Sequence, residues 1–283
     1  MNEITLDSIV RQVNEMPVLP ERMNKIIKIV EDPDSTVEDL EREILKDQSL
    51  TSKVLKLANS THYGYARKIN TVSKATILLG FQTIKSIALA STVNKFLIGE
   101  LKGYALEKNE LWNQSQTCAI ISRYIAKNTG KQDPEQAYIA GLLRDIGKTI
   151  LNHYVESEYE KIVGMVETEG KSFLDAEREL FGFDHAQVGG KVAEKWNFPK
   201  DLVETIEYHH TPEMAEENPE LVSIVHIADA ITMMMGVGLG VDGMGYNFSQ
   251  FALDTLNMDI NQVESIISEI SDLLIDEDNF NIL

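Results

Sequence analysis

Apolar residues along the chain recur at spacings of three and four, and no long stretch alternates apolar with polar side chains, so the pattern predicts an all-α protein. Explicit breakers punctuate it: Met16-Pro17, Asp32-Pro33, Gly80, Gly130 and Gly170 read as helix stops. Starts are marked as clearly. Ser35-Thr36-Val37-Glu38 has the form of a capping box, and Asp133-Pro134-Glu135 places a capping carboxylate ahead of proline at the first helical position. Counted between these signals there are about a dozen helices joined by short loops. The longest apolar stretch, Ile224 to Val241, is broken by His226 and Asp229 and ends in glycines. It reads as a buried helix and its exit rather than a membrane span.

Three parts are expected. Residues 1–103 form an N-terminal helical part of about five helices. Residues 104–235 form a helical bundle carrying five of the six histidines. Residues 236–283 form a C-terminal helical extension, with helices near Phe248–Leu256 and Ile260–Ile275 packing back on the bundle and an acidic, frayed tail from Asp276. No repeat of solenoid length is evident.

A hydrophobic content of 43% and a charged content of 25% are ordinary for an ordered globular chain. The net charge of −19 changes the picture because of where it lies. Residues 1–100 hold 13 basic and 13 acidic side chains, whereas residues 101–283 hold 13 basic against 32 acidic. After Lys200 there are 17 acidic residues and no Lys or Arg. Such a surface repels phosphate backbones and anionic headgroups, so neither direct nucleic-acid binding nor membrane association is expected. The single Cys118 cannot form an internal disulfide, and Met1–Leu6 carries Glu3 with no basic leader region, so a cytoplasmic location is expected.

The candidate chemistry lies in the second part. Asp145, within Ala140-Gly-Leu-Leu-Arg-Asp-Ile-Gly-Lys148, falls among apolar residues on an expected helix, where an ionised carboxylate needs a cation or a metal. Asp229 has a similar setting in Ser223-Ile-Val-His-Ile-Ala-Asp-Ala-Ile231. His209 and His210 end a helix just before Thr211-Pro212, where a break lets two adjacent rings converge. With His185 and His226 these residues suit either a buried polar cluster or a metal site, and their spacing matches no HExxH or CxxC pattern.

Gly141-Leu-Leu-Arg-Asp-Ile-Gly-Lys148 resembles the GLLHDIGK segment of HD phosphohydrolases, with Arg144 in place of the histidine. Leu111-Trp-Asn-Gln-Ser115 resembles their LWxHS, with Gln114 in place of the first histidine, and Asp229 matches their final aspartate. His185, His209 and His210 match the additional histidines of HD-GYP and HDOD relatives. The stretches Leu19-Pro-Glu-Arg-Met23, Asp47-Gln-Ser-Leu-Thr51, Val54-Leu-Lys-Leu-Ala-Asn-Ser60, Ala75-Thr-Ile-Leu-Leu-Gly80 and Ile84-Lys-Ser-Ile-Ala-Leu89 resemble the HDOD signature, over about residues 10 to 235. The resemblance implies an N-terminal helical part packed on an HD-like bundle and a role as a bacterial signal-transduction output module. Its partner would be a signalling protein or small ligand, with the groove between the two parts as the natural site. Neither the partner's identity nor the oligomeric state follows from the sequence.

In HD hydrolases the first histidine, the His-Asp pair and the last aspartate bind a metal that activates water. At these four positions, Gln114, Arg144, Asp145 and Asp229, only the two aspartates keep their chemistry. Arg144 is expected to stand in for the metal by pairing with Asp229 or Asp145. The resemblance also implies a neighbouring site of Asp145, His185, His209 and His210, a set suited to one divalent transition metal such as iron, manganese or zinc. A phosphohydrolase acting there on phosphoesters or nucleotides is the alternative to a non-catalytic module. No GYP motif follows His209-His210, and Asp242-Gly-Met-Gly-Tyr-Asn247 reads as a glycine-rich turn. Lys148 is a phosphate-contact candidate, against a reading as a solvated helix-end residue. The surface around Asn59, Ser60, Tyr63 and Tyr65 is a second binding candidate, against a reading as a structural loop.

Overall fold

The computed structural model describes residues 25, 26, 28, 29, 32, 34–59, 69–238 and 248–274, apart from the side chains of Ser49, Leu57, Thr92 and 272–274. The described chain is helical, and its one β-like feature is an isolated bridge between Leu101 and Leu106. In order, the helices are α1 (Val37–Leu45), α2 (Gln48–Ala58), α3 (Val72–Leu79), α4 (Phe81–Leu97), α5 (Glu110–Thr129), α6 (Pro134–Leu143) and α7 (Lys148–Glu169). They continue with α8 (Phe173–Phe181), α9 (His185–Lys195), α10 (Lys200–Tyr208), α11 (Pro219–Met234), α12 (Gln250–Leu256) and α13 (Ile260–Leu274). Short 3₁₀ turns lie at Lys102–Tyr104 and Pro212–Met214. No single helix among the described residues is long and apolar enough to cross a membrane.

The punctuation expected from sequence is largely where the helices end. Gly80, Gly130 and Gly170 close α3, α5 and α7. Asp133 accepts the N–H groups of Glu135 and Gln136 at 2.8 and 3.0 Å, with Pro134 opening α6. The first capping box sits one residue later than expected. Thr36 Oγ1 accepts the Asp39 N–H at 3.3 Å while Asp39 Oδ2 accepts the Thr36 N–H at 3.1 Å. Thr36 is extended (φ −106°, ψ 165°), as a cap must be, and Asp39 at the third helical position reaches back to it, so the reciprocal pair is Thr36/Asp39 rather than Ser35/Glu38.

Two compact units can be separated: Phe96–Ile267, and the described residues within 17–95 together with the end of α13 from Ser268. In the second of these, α1, α2 and α3 pack on one another over Leu40, Ile44, Val54, Ala58 and Ala75. Asn59 is committed to structure there: its amide donates to the Ile69 carbonyl and accepts the Ile69 N–H, both at 2.7 Å. That favours the structural-loop reading at Asn59; Ser60, Tyr63 and Tyr65 lie outside the described residues, as do 19–23, Asp242–Asn247 and the tail from Asp276.

The larger unit is built round α5, α6 and α11. Gly141 lets α5 and α6 approach closely, since a Cβ there would lie 2.6 Å from Ser122 Oγ and 3.0 Å from the Ala119 Cα. Helix α11 is buried continuously from Leu221 to Met233, which is why its sequence has almost no polar face. Its exit is marked by Met234, 60% exposed. Helix α9 packs on α10 and α7, and this arrangement carries the histidines to the turn between α6 and α7.

Candidate functional site

Asp145 was expected on a helix; it lies instead in the tight turn that joins α6 to α7. Residues 144–147 turn through short backbone bonds, Ile146 N–H to the Leu143 carbonyl and Lys148 N–H to the Asp145 carbonyl, both at 3.0 Å. Gly147 at the end of this turn explains the break. A Cβ on it would sit 1.9 Å from the His185 carbonyl oxygen and 2.6 Å from the Gly189 nitrogen, so the turn meets the first turn of α9 backbone to backbone.

Arg144 is fully buried and points inward. Its Nε donates to Asp229 Oδ1 at 2.5 Å, its Nη2 lies 3.1 Å from Asp145 Oδ2, and its Nη1 donates to the Gly141 carbonyl at 3.2 Å. Burial opposes the charge, but Asp229 and Asp145 outweigh it and keep the guanidinium ionised. Both aspartates of the HD positions are thus bound by one arginine. Gln114 is also buried but faces elsewhere, donating to Met233 Sδ at 3.5 Å and the Gly238 carbonyl at 3.4 Å. The Gln114/Arg144/Asp145/Asp229 set therefore does not fit a metal: it offers two carboxylates already neutralised by a permanent cation.

The two oxygens of Asp145 have different company. Oδ2 lies 3.1 Å from Arg144 Nη2 and 3.1 Å from Lys148 Nζ. Oδ1 faces His185 Nε2 at 3.3 Å and His209 Nε2 at 3.8 Å. Burial would raise the Asp145 pKa, but Lys148 and Arg144, helped by His185, hold it well below the usual carboxylate range. Lys148 is 1% exposed, which excludes a solvated helix-end residue. A cation at the first position of α7 opposes the helix dipole, and Asp145 offsets this.

The rings of His185, His209 and His210 do converge. Their centroids are 5.9 Å apart for His185 and His209, 5.0 Å for His185 and His210, and 4.0 Å for His209 and His210. His209 caps α10 and donates Nδ1–H to the Ile206 carbonyl at 2.8 Å, leaving Nε2 buried, without a hydrogen-bond partner and aimed at Asp145. Ligand atoms of Asp145, His185, His209 and His210 lie within 4.8 Å of one another. Three imidazole nitrogens and one carboxylate oxygen, with an orphaned nitrogen among them, are a donor set that fits a divalent transition metal. His226 stands outside it: Nδ1 donates to the His209 carbonyl at 2.8 Å and Nε2 accepts the Ser249 N–H at 2.9 Å, so it braces the His209 backbone.

Two residues here were not singled out from sequence, Glu177 and Tyr104. Glu177 Oε2 accepts both His185 N–H and, across 2.8 Å, His185 Nδ1, while Oε1 accepts the Tyr104 hydroxyl at 2.5 Å. The available signal was a charged residue on the apolar stripe of α8, where Phe173, Ala176 and Phe181 are buried beside it. Burial works against a charged His185, but Glu177 and Asp145 outweigh it and push its pKa up to about 10. Burial takes His209 the other way, to about 4, and burial with the two neighbouring rings lowers His210. With His185 protonated, Arg144, Lys148 and His185 face Asp145, Asp229 and Glu177, and the charges of these six groups balance.

These shifts set an expected pH profile for chelator-treated protein. The folded pKa of His185 lies above its unfolded value, so its contribution is complete below about 6.5 and lost as the pH climbs towards about 10. His209 is held neutral, so the unfolded chain gains the proton first and stability falls as the pH drops from about 6.5 towards 4. Denaturant midpoints measured from pH 4 to pH 10 are expected to peak at about 6.5. A flat profile would contradict the buried charge arrangement.

An all-α bundle with this turn and this convergence of imidazoles is an HD-type scaffold, from which the inward arginine is a departure. The chain belongs to the HDOD family: the sequence profile of the HDOD domain matches residues 16–212. It is similar to an HDOD domain protein of unknown function from Geobacter sulfurreducens, 26% identical, with a TM-score of 0.78 over 95% of this chain and 94% of that one. A provisionally assigned phosphohydrolase from Shewanella amazonensis SB2B is 25% identical, with a TM-score of 0.72 over 93% of each chain. Ribonuclease Y of Mycoplasma mycoides is 29% identical over 189 residues, 66% of this chain and 35% of that protein. The chain spans less than half the length of the curated relatives it matches.

Proposed function

We propose that this chain is a regulatory module of bacterial signal transduction, acting by binding a protein or small ligand on an HD scaffold that has lost its hydrolytic metal position. The observation that carries this reading is the Arg144 guanidinium between Asp229 and Asp145, where a hydrolase needs a metal-bound water. The acidic excess of residues 101–283 and the absence of a GYP motif after His209-His210 agree with it, and argue against direct nucleic-acid contact by this part and against cyclic-dinucleotide turnover. A screen of phosphomonoesters, phosphodiesters and nucleotides with Mn²⁺, Fe²⁺ and Mg²⁺ is expected to give no turnover above a metal-only blank. Turnover that disappears in His209→Ala would overturn this reading.

A second reading rests on the orphaned His209 Nε2 and the four-donor set around it. Here Asp145, His185, His209 and His210 hold one iron, manganese or zinc ion, and the chain is a metal-dependent phosphohydrolase, in line with what its phosphohydrolase and ribonuclease relatives are named for. The ion would supply Lewis acidity and an activated water. The chain's own part would be to orient the ligands through Glu177 and the Ile206 carbonyl, and to place Lys148 beside Asp145 as a cation for a phosphate. Elemental analysis of protein purified without chelator separates the readings: one transition metal per chain supports the second, and none removes it.

A further inference from the structure

We propose that Glu177 is the positioning residue of the imidazole site: through Tyr104 it is held so that His185 must present Nε2, and not Nδ1, to Asp145 and His210. The inference deepens the metal reading above and takes the donor set from it, but the hydrogen bonds that carry it stand in the metal-free chain.

His185 opens α9, and a first-turn side chain with nothing beyond its own helix to hold it is free to rotate. Three contacts remove that freedom. Glu177 Oε2 accepts the His185 backbone N–H at 3.0 Å and faces its ring Nδ1 at 2.8 Å, so one oxygen fixes both the start of the helix and the face of the ring. Glu177 Oε1 accepts the Tyr104 hydroxyl at 2.5 Å, which prevents the carboxylate from turning away. Glu177 is completely buried, and the negative charge lies at the N-terminus of α9, where the helix dipole favours it. Asp184, capping the same helix with Gln187, fixes the backbone that His185 follows.

The consequence is directional. With Nδ1–H given to a carboxylate, the only ring nitrogen left for the cluster is Nε2, and it lies 3.0 Å from His210 Nε2 and 3.3 Å from Asp145 Oδ1. A ring turned over would aim a carbon at Asp145 and dismantle the donor set. His209 is fixed by the same device with a different acceptor, the Ile206 carbonyl. Glu177 differs in being a charged acceptor from a separate helix, α8. It therefore raises the basicity of the imidazole as well as orienting it. Tyr104 comes from the Leu101–Leu106 turn, which is seated on α7 by the Gly103 N–H to Asn152 Oδ1 bond of 2.9 Å.

The test compares full-length wild type, Glu177→Gln and Tyr104→Phe by Co²⁺ calorimetry and the visible spectrum of bound Co²⁺, and by ¹H–¹⁵N NMR of the histidine rings without metal. Glu177→Gln keeps the volume and a hydrogen-bonding group but removes the charge. It is expected to bind Co²⁺ some 10- to 100-fold more weakly than wild type. Tyr104→Phe, which leaves the charge and removes one restraint, is expected to lose less. Without metal, the His185 Nδ1 proton should resonate far downfield in wild type, as a proton shared with a carboxylate does, and move upfield in Glu177→Gln. If wild type binds no Co²⁺, the metal reading falls and the NMR comparison alone decides the positioning role. An unchanged Nδ1 proton in Glu177→Gln, or Co²⁺ affinity equal to wild type, overturns the proposal. A general loss of stability cannot imitate the result, because the Nδ1 signal is read in the folded chain.

Discussion

Replacing Arg144 with methionine is expected to destabilise the protein by about 3–5 kcal/mol, the usual effect of removing one partner from a buried ion pair. The magnitude follows from what would be left behind. Asp229 and Asp145 are each 1% exposed, and without the guanidinium Asp229 loses its charged partner while Asp145 keeps only Lys148 and the imidazoles. The loss should be partly recovered in the double variant Arg144→Met/Asp229→Leu, because exchanging both partners for apolar groups of similar size leaves no buried charge unpaired. Urea unfolding of the four members of this cycle measures the coupling directly. An Arg144→Met midpoint equal to wild type would mean that the guanidinium is not what holds the two carboxylates.

The second large effect is expected at Gly147. Its backbone is ordinary helical, φ −64° and ψ −28°, so alanine brings no conformational penalty there. The penalty is purely spatial. The added methyl would lie 1.9 Å from the His185 carbonyl, and that oxygen is backbone that cannot swing aside. Gly147→Ala is expected to lower stability by about 3 kcal/mol or more, beyond ordinary overpacking. It should also separate Asp145 from His185, so on the metal reading affinity for the ion would fall together with folding stability. Gly164→Ala, within α7 and where a Cβ meets nothing within 4 Å, is the control and should stabilise by up to about 1 kcal/mol through helix propensity. Thermal and denaturant unfolding of the pair checks both expectations.

How much of this was legible beforehand depends on the range of the interaction. Asp133-Pro134, Gly130 and Gly170 act within one helical turn, so their effect could be read from neighbours in sequence. The shift of the first cap from Ser35 to Thr36 is the limit of such reading, because Ser and Thr at adjacent positions compete and the outcome depends on which carboxylate reaches back. The apolar flanks of Asp145 continue the helical pattern on both sides, so the sequence predicts a helix through it. The turn that contains it lies where Gly147 meets α9 backbone to backbone, a segment some forty residues further on. Glu177 does not stand out in the sequence for a similar reason. Its partners are a tyrosine 73 residues earlier and a histidine eight residues later, across a helix break.

Determined by the sequence itself were the all-α class, the breaks marked by Gly80, Gly130, Asp133-Pro134 and Gly170, and the chemical inventory of the site. Arg144 in place of a histidine, Gln114 in place of another, two aspartates and three histidines are all present as residue types in the chain. The tertiary structure decided which of them meet. It turned Arg144 inward onto both aspartates, sent Gln114 towards Met233 and Gly238, and divided Asp145 between cations on one oxygen and imidazoles on the other. It also withdrew His226 into a structural role and brought in Glu177. Local propensity acts over a turn or two and is written in adjacent residues. The direction of a buried charge is set by which opposite charge shares its low-dielectric surroundings, and only the packed helices determine that.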